Sequence, residues 1–261
     1  MAQSNKSKRY FVMADIHGFY DEMQTALSAA GFDRTNPNHI FVSCGDLLDR
    51  GRQPRECLQF VMSLDPERRI LVRGNHEDLM EEAIVRGTFA SYDSSNGTRF
   101  TVYDLVGHEA DEDIDALIKL RNNELYNSYI RECVNYGETE NYIFVHGWIP
   151  CIANRKLSGM TYTPYGKDWR NARTRDWQET RWTNGMDAWD WGIVEPNKTI
   201  VCGHWHTSWG HCYLHNDGAE FGKTSKFVPF IDQGIIAVDA CTAYSGFCNC
   251  VVLDDEPLEE V

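Results

Sequence analysis

Five short apolar runs in this 261-residue chain end in side chains that bind metals or carry protons. Phe11 to Ala14 leads into Asp15 and His17. Ile40 to Ser43 leads into Gly45-Asp46 and then Asp49-Arg50-Gly51, and Ile70 to Val72 leads into Arg73-Gly74-Asn75-His76-Glu77. Ile143 to Val145 leads into His146-Gly147, and Ile200 to Cys202 into Gly203-His204-Trp205-His206. Carboxylate and amide oxygens combined with imidazole nitrogens suit Mn²⁺, Fe²⁺ or Zn²⁺ better than Ca²⁺. Asp15, His17, Asp46, Asn75, His146, His204 and His206 are more donors than one ion accepts, so two ions sharing one carboxylate are expected. One Asp-x-His is usually a satisfied turn, but five such loops, each directly after an apolar run, point to one common site.

The elements that must position these loops repeat one rhythm. Strands are expected at Arg9–Ala14, His39–Ser43 and Arg69–Val72, each followed by a polar loop and an amphipathic helix. Alternation of this kind implies βαβ units whose loops gather at the carboxyl edge of the strands. The middle reads as helical over 109–121 and 126–136. Strands resume at Tyr142–Val145, Thr199–Cys202, Ile235–Asp239 and Phe247–Leu253, the last two expected to form a hairpin through Tyr244-Ser245-Gly246. Residues 151–198 break the rhythm and hold five of the eight tryptophans (Trp169, Trp177, Trp182, Trp189 and Trp191), so they read as a loop or cap within a single domain spanning 1–261.

Composition narrows the partners. Lys and Arg number 25 against 39 Asp and Glu, a formal charge of −14, which repels a nucleic acid polymer or an anionic membrane surface. No run approaches the ~20 apolar residues of a membrane helix, and Met1–Arg9 lacks the apolar stretch of a secretory signal. Nine cysteines without a CxxC pair read as reduced thiols in a cytoplasmic protein. His39, His108, His211 and His215 lie outside the motifs and read as packed or solvated.

Asp15-Ile16-His17-Gly18, Gly45-Asp46-Leu47-Leu48-Asp49-Arg50-Gly51 and Gly74-Asn75-His76-Glu77 resemble the signature of the calcineurin-like metallophosphoesterases. The Asp-Arg-Gly extension and the Glu after Asn-His narrow the resemblance to the phosphoprotein phosphatase branch, with its small bacterial and phage-type members. The resemblance implies an α/β fold, a sandwich of two mixed sheets flanked by helices, with a dinuclear metal site at the carboxyl edge of the strands. It assigns Asp15 and His17 to a first metal, Asp46 to the bridge, and Asn75, His146 and His204 to the second. His206 departs from the narrow branch; the Gly-His-x-His ending looks like that of broader phosphoesterases, in which the second His joins the first metal. Two divalent ions are implied, Mn²⁺ first and Fe or Zn as alternatives.

The chemistry expected is hydrolysis of a phosphomonoester of phosphoserine or phosphothreonine type, on a phosphoprotein, a phosphopeptide or a small phosphoester. A metal-activated water attacks phosphorus in line. Arg50 and Arg73 are candidates to hold the phosphoryl oxygens, and the resemblance implies a further arginine from the 151–198 segment, where Arg181 is preferred among Arg155, Arg170, Arg173, Arg175 and Arg181. His76 is placed to protonate the leaving oxygen and Asp49 to orient it. The alternative is symmetrical hydrolysis of a dinucleoside tetraphosphate, or a phosphodiesterase acting on a nucleotide, with the Trp-rich segment stacking a base. A non-catalytic metal-bound module would be expected to have lost a ligand or the acid, and none is missing.

Overall fold

The computed structural model describes residues 8–107, 112–156 and 159–255. His108 and most of the acidic tail after Asp254 lie outside the described residues. The first half alternates as expected: β1 (Arg9–Met13), α1 (Tyr20–Ala29), β2 (His39–Ser43), α2 (Pro54–Ser63), β3 (Arg69–Leu71) and α3 (Asn75–Arg86). Four helices follow, α4 (Ser91–Asn96), α5 (Thr98–Val106), α6 (Asp113–Arg121) and α7 (Glu124–Glu132). Then come β4 (Gly137–Glu138), β5 (Tyr142–Phe144), β6 (Cys151–Lys156), β7 (Gly159–Pro164), α8 (Thr174–Thr180), α9 (Gly185–Asp190) and β8 (Thr199–Cys202). The chain closes with α10 (Thr207–Tyr213), β9 (Phe230–Asp232), β10 (Ile235–Ala237), α11 (Thr242–Ser245) and β11 (Val251–Asp254).

Two mixed sheets form. One has the order β11-β1-β2-β3, with β1, β2 and β3 parallel and β11 antiparallel to β1. The other has the order β4-β5-β8-β10-β9, with β5, β8 and β10 parallel and its outer strands antiparallel. Strand alternation explains the layering. Phe11, Met13 and Phe41 face the helices α1, α2 and α5–α7, whereas Tyr10, Val12, Ile40 and Val42 face the second sheet, packing with Phe144, Val201 and Ile236. The three parallel strands of each sheet bring their carboxyl ends to the same rim.

The expected closing hairpin does not form. Residues 242–245 coil into α11, and β10 and β11 belong to different sheets. The 230–255 segment therefore crosses from one sheet to the other. It leaves β10 beside the buried β8 and sends β11 to cover the free edge of β1. The reason is burial: Ile235 and Ala237 are fully covered in the second core, while Cys248 and Cys250 pack against the first.

The 151–198 segment contains the β6–β7 hairpin and two short helices. Trp169 and Trp177 are its buried anchors, packing edge-on to each other and against Tyr136. Arg170 fastens the segment to β4, donating to Glu138 (2.6 Å) and Glu195 (2.8 Å) while its guanidinium lies over the Trp169 ring. Hydrogen bonding from Arg170, with Lys198 in support, holds the Glu138 carboxyl down at about 2. Because this lies below the ordinary carboxylate range, the stabilisation is fully present above about pH 4.5 and is lost as pH falls toward about 2. Arg170→Ala should cost about 1 kcal/mol at neutral pH. In urea melts, the gap to wild type should narrow as the solution is acidified through that window. A gap independent of pH would show that the ion pair contributes nothing.

All nine cysteines are free thiols. Among the described residues no helix is long and apolar enough to cross a membrane.

Candidate functional site

Six strand ends meet at a cavity of about 280 Å³. Asp15 and His17 follow β1, Asp46 follows β2, and Asn75 and His76 follow β3; His146 follows β5 and His204 follows β8. The sixth end supplies Asp239, two residues past β10, which the sequence reading missed. The rule that found the others, a polar side chain directly after a buried apolar run, applies equally to Ile235–Val238.

The side chains form two donor groups that share Asp46: His17, Asp46 and His76 in one, Asp46, His146 and His204 in the other. Asp15 belongs with the first by distance, its Oδ1 lying 3.9 Å from His17 Nε2, which is 3.7 Å from Asp46 Oδ2. Asn75 belongs with the second, its Oδ1 lying 2.8 Å from His146 Nε2. The tautomers are fixed from behind. His17 Nδ1 donates to the Leu48 carbonyl (3.0 Å) and His146 Nδ1 to the Cys44 carbonyl (2.7 Å), so each Nε2 is turned toward Asp46, 3.7 and 3.4 Å from its carboxylate oxygens.

The backbone is bent to make this possible. Asp15, His17, Asp46, Asp49, Arg50, His204 and Cys241 all have positive φ, seven of the nine such non-glycine residues among those described. Each costs about 1–2 kcal/mol relative to the right-handed region, and strain of this kind concentrates where function requires it. Two glycines permit the closest approaches. A Cβ at Gly74 would lie 2.1 Å from Asp46 Oδ1, and one at Gly203 would lie 2.2 Å from Asp15 Oδ2.

The electrostatics call for cations. Three buried carboxylates, Asp15, Asp46 and Asp239, line one cavity. Burial, and then Asp239, pushes Asp15 well above its ordinary range. Burial opposes the charge on Asp46 too, but the imidazoles of His146 and His76 hold it well below the ordinary range. Burial works against protonation of His146, yet Asp46 raises it to about 10, whereas burial and the neighbouring His146 bring His204 down to about 3. Clustered carboxylate and amide oxygens beside oriented imidazoles fit divalent ions of the Mn²⁺, Fe²⁺ or Zn²⁺ kind.

One of these donors, His76, is paired with a buried carboxylate. His76 Nδ1 is 2.8 Å from Asp49 Oδ2, both side chains buried, and Nε2 is 3.4 Å from Arg50 Nη2. Burial opposes protonation of His76, while Asp46 and Asp49 raise its pKa above the ordinary histidine value. Arg50 is exposed and lines the cavity.

Three expected residues are held by other partners. His206 lines the cavity but belongs to neither donor group: Nδ1 lies 3.1 Å from Ser208 Oγ, Nε2 lies 3.3 Å from Glu220 Oε1, and the ring packs on Phe221. Its backbone stands at the N-cap of α10. Arg73 and Arg181 do not line the cavity. Both bind the buried Asp78 of α3, Arg73 Nε at 2.7 Å and Arg181 Nη1 at 2.6 Å, and Arg181 also donates to Asn135 (2.6 Å). Among the described residues lining the cavity, Arg50 is the one arginine or lysine.

Residues 8–221 match the family model of the calcineurin-like phosphoesterases. The chain belongs to this family. Its two mixed sheets flanked by helices are the family's fold, and its members act on phosphoesters with divalent metal ions. Among curated relatives, this calcineurin-like phosphoesterase is 25% identical to the symmetrical bis(5'-nucleosyl)-tetraphosphatase of Xylella fastidiosa strain 9a5c, across 95% of this chain and 89% of that one. It is 37% identical to the protein of the same name from Psychromonas ingrahamii, but that match spans only 32% of this chain and 29% of the relative. The cold-active protein-tyrosine phosphatase of a psychrophilic Shewanella shares the fold, with a TM-score of 0.54 and 17% identity, covering 95% of this chain and 76% of that one.

Proposed function

We propose that this phosphoesterase hydrolyses phosphomonoesters, phosphoserine and phosphothreonine among them, with His76 as the proton donor. The supporting observation is the buried His76–Asp49 pair opening beside Arg50 onto donor groups that share Asp46. Asp15, His17 and Asp46 would hold one divalent ion, and Asp46, Asn75, His146 and His204 the other, with Mn²⁺ first and Fe or Zn as alternatives. When bound, such ions polarise phosphoryl oxygens and make water a nucleophile at neutral pH. Arg50 neutralises the equatorial oxygens of the phosphoryl group in transfer. Asp49 accepts from His76 Nδ1 and keeps Nε2 directed at the leaving oxygen, which takes the proton as the P–O bond breaks.

A second reading, symmetrical cleavage of a dinucleoside tetraphosphate, is favoured by the names of the relatives and by two rings on the cavity wall. Trp182, 53% exposed, stands edge-on to His204, and Trp205 follows that histidine. Turnover of p-nitrophenyl phosphate, a phosphoserine peptide, bis-p-nitrophenyl phosphate and diadenosine tetraphosphate, each with Mn²⁺, separates the readings. Preference for the peptide over the dinucleotide supports the first; the reverse order supports the second. Absence of metal-dependent turnover on all four would refute both. If the second holds, loss of base stacking in Trp182→Ala should raise KM for the dinucleotide about tenfold and leave KM for p-nitrophenyl phosphate unchanged. Equal KM changes on both substrates would remove Trp182 from base recognition.

A further inference from the structure

Helices α4 and α5 carry none of the motifs, yet three hydrogen bonds tie them and their junction to Asp49 and Arg50. Thr98 Oγ1 donates to Asp49 Oδ2 (2.6 Å), the oxygen that also faces His76 Nδ1. Asp49 N donates to Thr101 Oγ1 (3.1 Å), and Arg50 N donates to the Asn96 carbonyl (3.2 Å). Gly97, at φ +89, lets the turn lie against Arg50; a Cβ there would come within 2.3 Å of Arg50 N. Asp49, Thr98 and Thr101 are fully buried, so no water competes for these bonds. Asp49 and Arg50 are both held at positive φ, 74° and 60°, and this junction supplies partners to both backbone amides.

We infer that Thr98 is a positioning residue for the proton donor. Its hydroxyl fixes the Asp49 carboxylate so that Oδ2 meets His76 Nδ1 and the imidazole keeps its Nε2 toward the leaving oxygen. Asp49 Oδ1 has no hydrogen-bond partner among the described residues, so the two donors on Oδ2 alone set the carboxylate's rotation. Without Thr98 the carboxylate can turn about its last torsion, which is broad and roughly two-fold, and the imidazole loses its fixed acceptor. The inference rests on the reading of His76 as general acid.

The test uses leaving groups, because a proton donor matters when the departing oxygen is basic and little when it is p-nitrophenolate. Thr98→Val keeps the shape and deletes the hydroxyl; Thr98→Ser keeps the hydroxyl. kcat for an alkyl phosphomonoester and for p-nitrophenyl phosphate is measured with Mn²⁺ for wild type, T98V, T98S and H76N. T98V is expected to lose tenfold or more on the alkyl substrate and less than threefold on p-nitrophenyl phosphate, with T98S restoring both. Equal losses on both substrates, or no loss, would overturn the role of Thr98. Should T98V fail to fold, T98A carries the same comparison, and failure of both to fold would assign Thr98 to stability instead. H76N separates this from the parent reading. A wild type without metal-dependent turnover, or an H76N variant without leaving-group selectivity, refutes the acid itself; selectivity in H76N but not in T98V refutes Thr98 alone.

Discussion

Asp46→Asn should lower kcat on p-nitrophenyl phosphate by about 10³-fold or more and weaken Mn²⁺ binding in parallel, a loss of about 4 kcal/mol of transition-state stabilisation. Asp46 is the one side chain common to both donor groups, it is 1% exposed, and its Oδ1 also accepts from the His76 backbone N–H at 2.9 Å. The substitution isolates charge from shape. Asn is nearly isosteric and tolerates the left-handed region, so the φ of 53° at this position survives. The change removes one negative charge and replaces one acceptor oxygen with an NH₂ donor, which repels a cation held by His17 or by His146. Calorimetric Mn²⁺ titration alongside steady-state kinetics measures both effects, and a thermal melt checks folding. Wild-type kcat in a folded D46N protein at saturating Mn²⁺ would show that the shared carboxylate is not the centre of the chemistry.

The donor residues were legible because their signal is local. An apolar run buried between two layers must end at the rim, and a metal-binding side chain placed directly after it has one direction to point. This holds for Asp15, His146, His204 and Asp239, each two residues past its strand, and, after a short glycine-containing turn, for Asp46 and Asn75. Features set by distant partners were not legible. Arg73 and Arg181 sit in suitable loops, but Asp78, five residues from one and 103 from the other, draws both guanidinium groups to itself. His206 has the spacing of a ligand, yet Ser208, Glu220 and Phe221 hold its ring. The closing hairpin failed for the same reason. Tyr244-Ser245-Gly246 is a credible turn, but the uncovered edge of β1 offered β11 a better partner than β10 did. The α4–α5 junction gave no local sign of its role because its targets, Asp49 and Arg50, lie in a loop about fifty residues earlier.

Glu77→Ala should cost about 3 kcal/mol or more of folding stability and abolish most activity, although Glu77 neither lines the cavity nor belongs to a donor group. Its carboxylate is a knot of four hydrogen bonds joining three segments. Oε2 accepts from Asp46 N (3.1 Å) and Gly74 N (2.7 Å), and Oε1 accepts from Leu47 N (3.2 Å) and Tyr129 OH (2.9 Å). At 2% exposure, no water can replace it for those donors once the side chain is removed. The amides at stake belong to the two loops that deliver Asp46 and Asn75, so the stability loss and the activity loss have one origin. Glu77→Gln should be nearly as damaging as Ala, because its NH₂ group would face N–H or O–H donors instead of accepting from them. Tyr129→Phe, which deletes one of the four donors and leaves the carboxylate in place, should cost only about 1 kcal/mol. Urea unfolding of the three variants gives the ranking. If Gln were as stable as wild type, the loops would be held by their own strained turns, and the fixed geometry of Asp46 would not depend on Glu77.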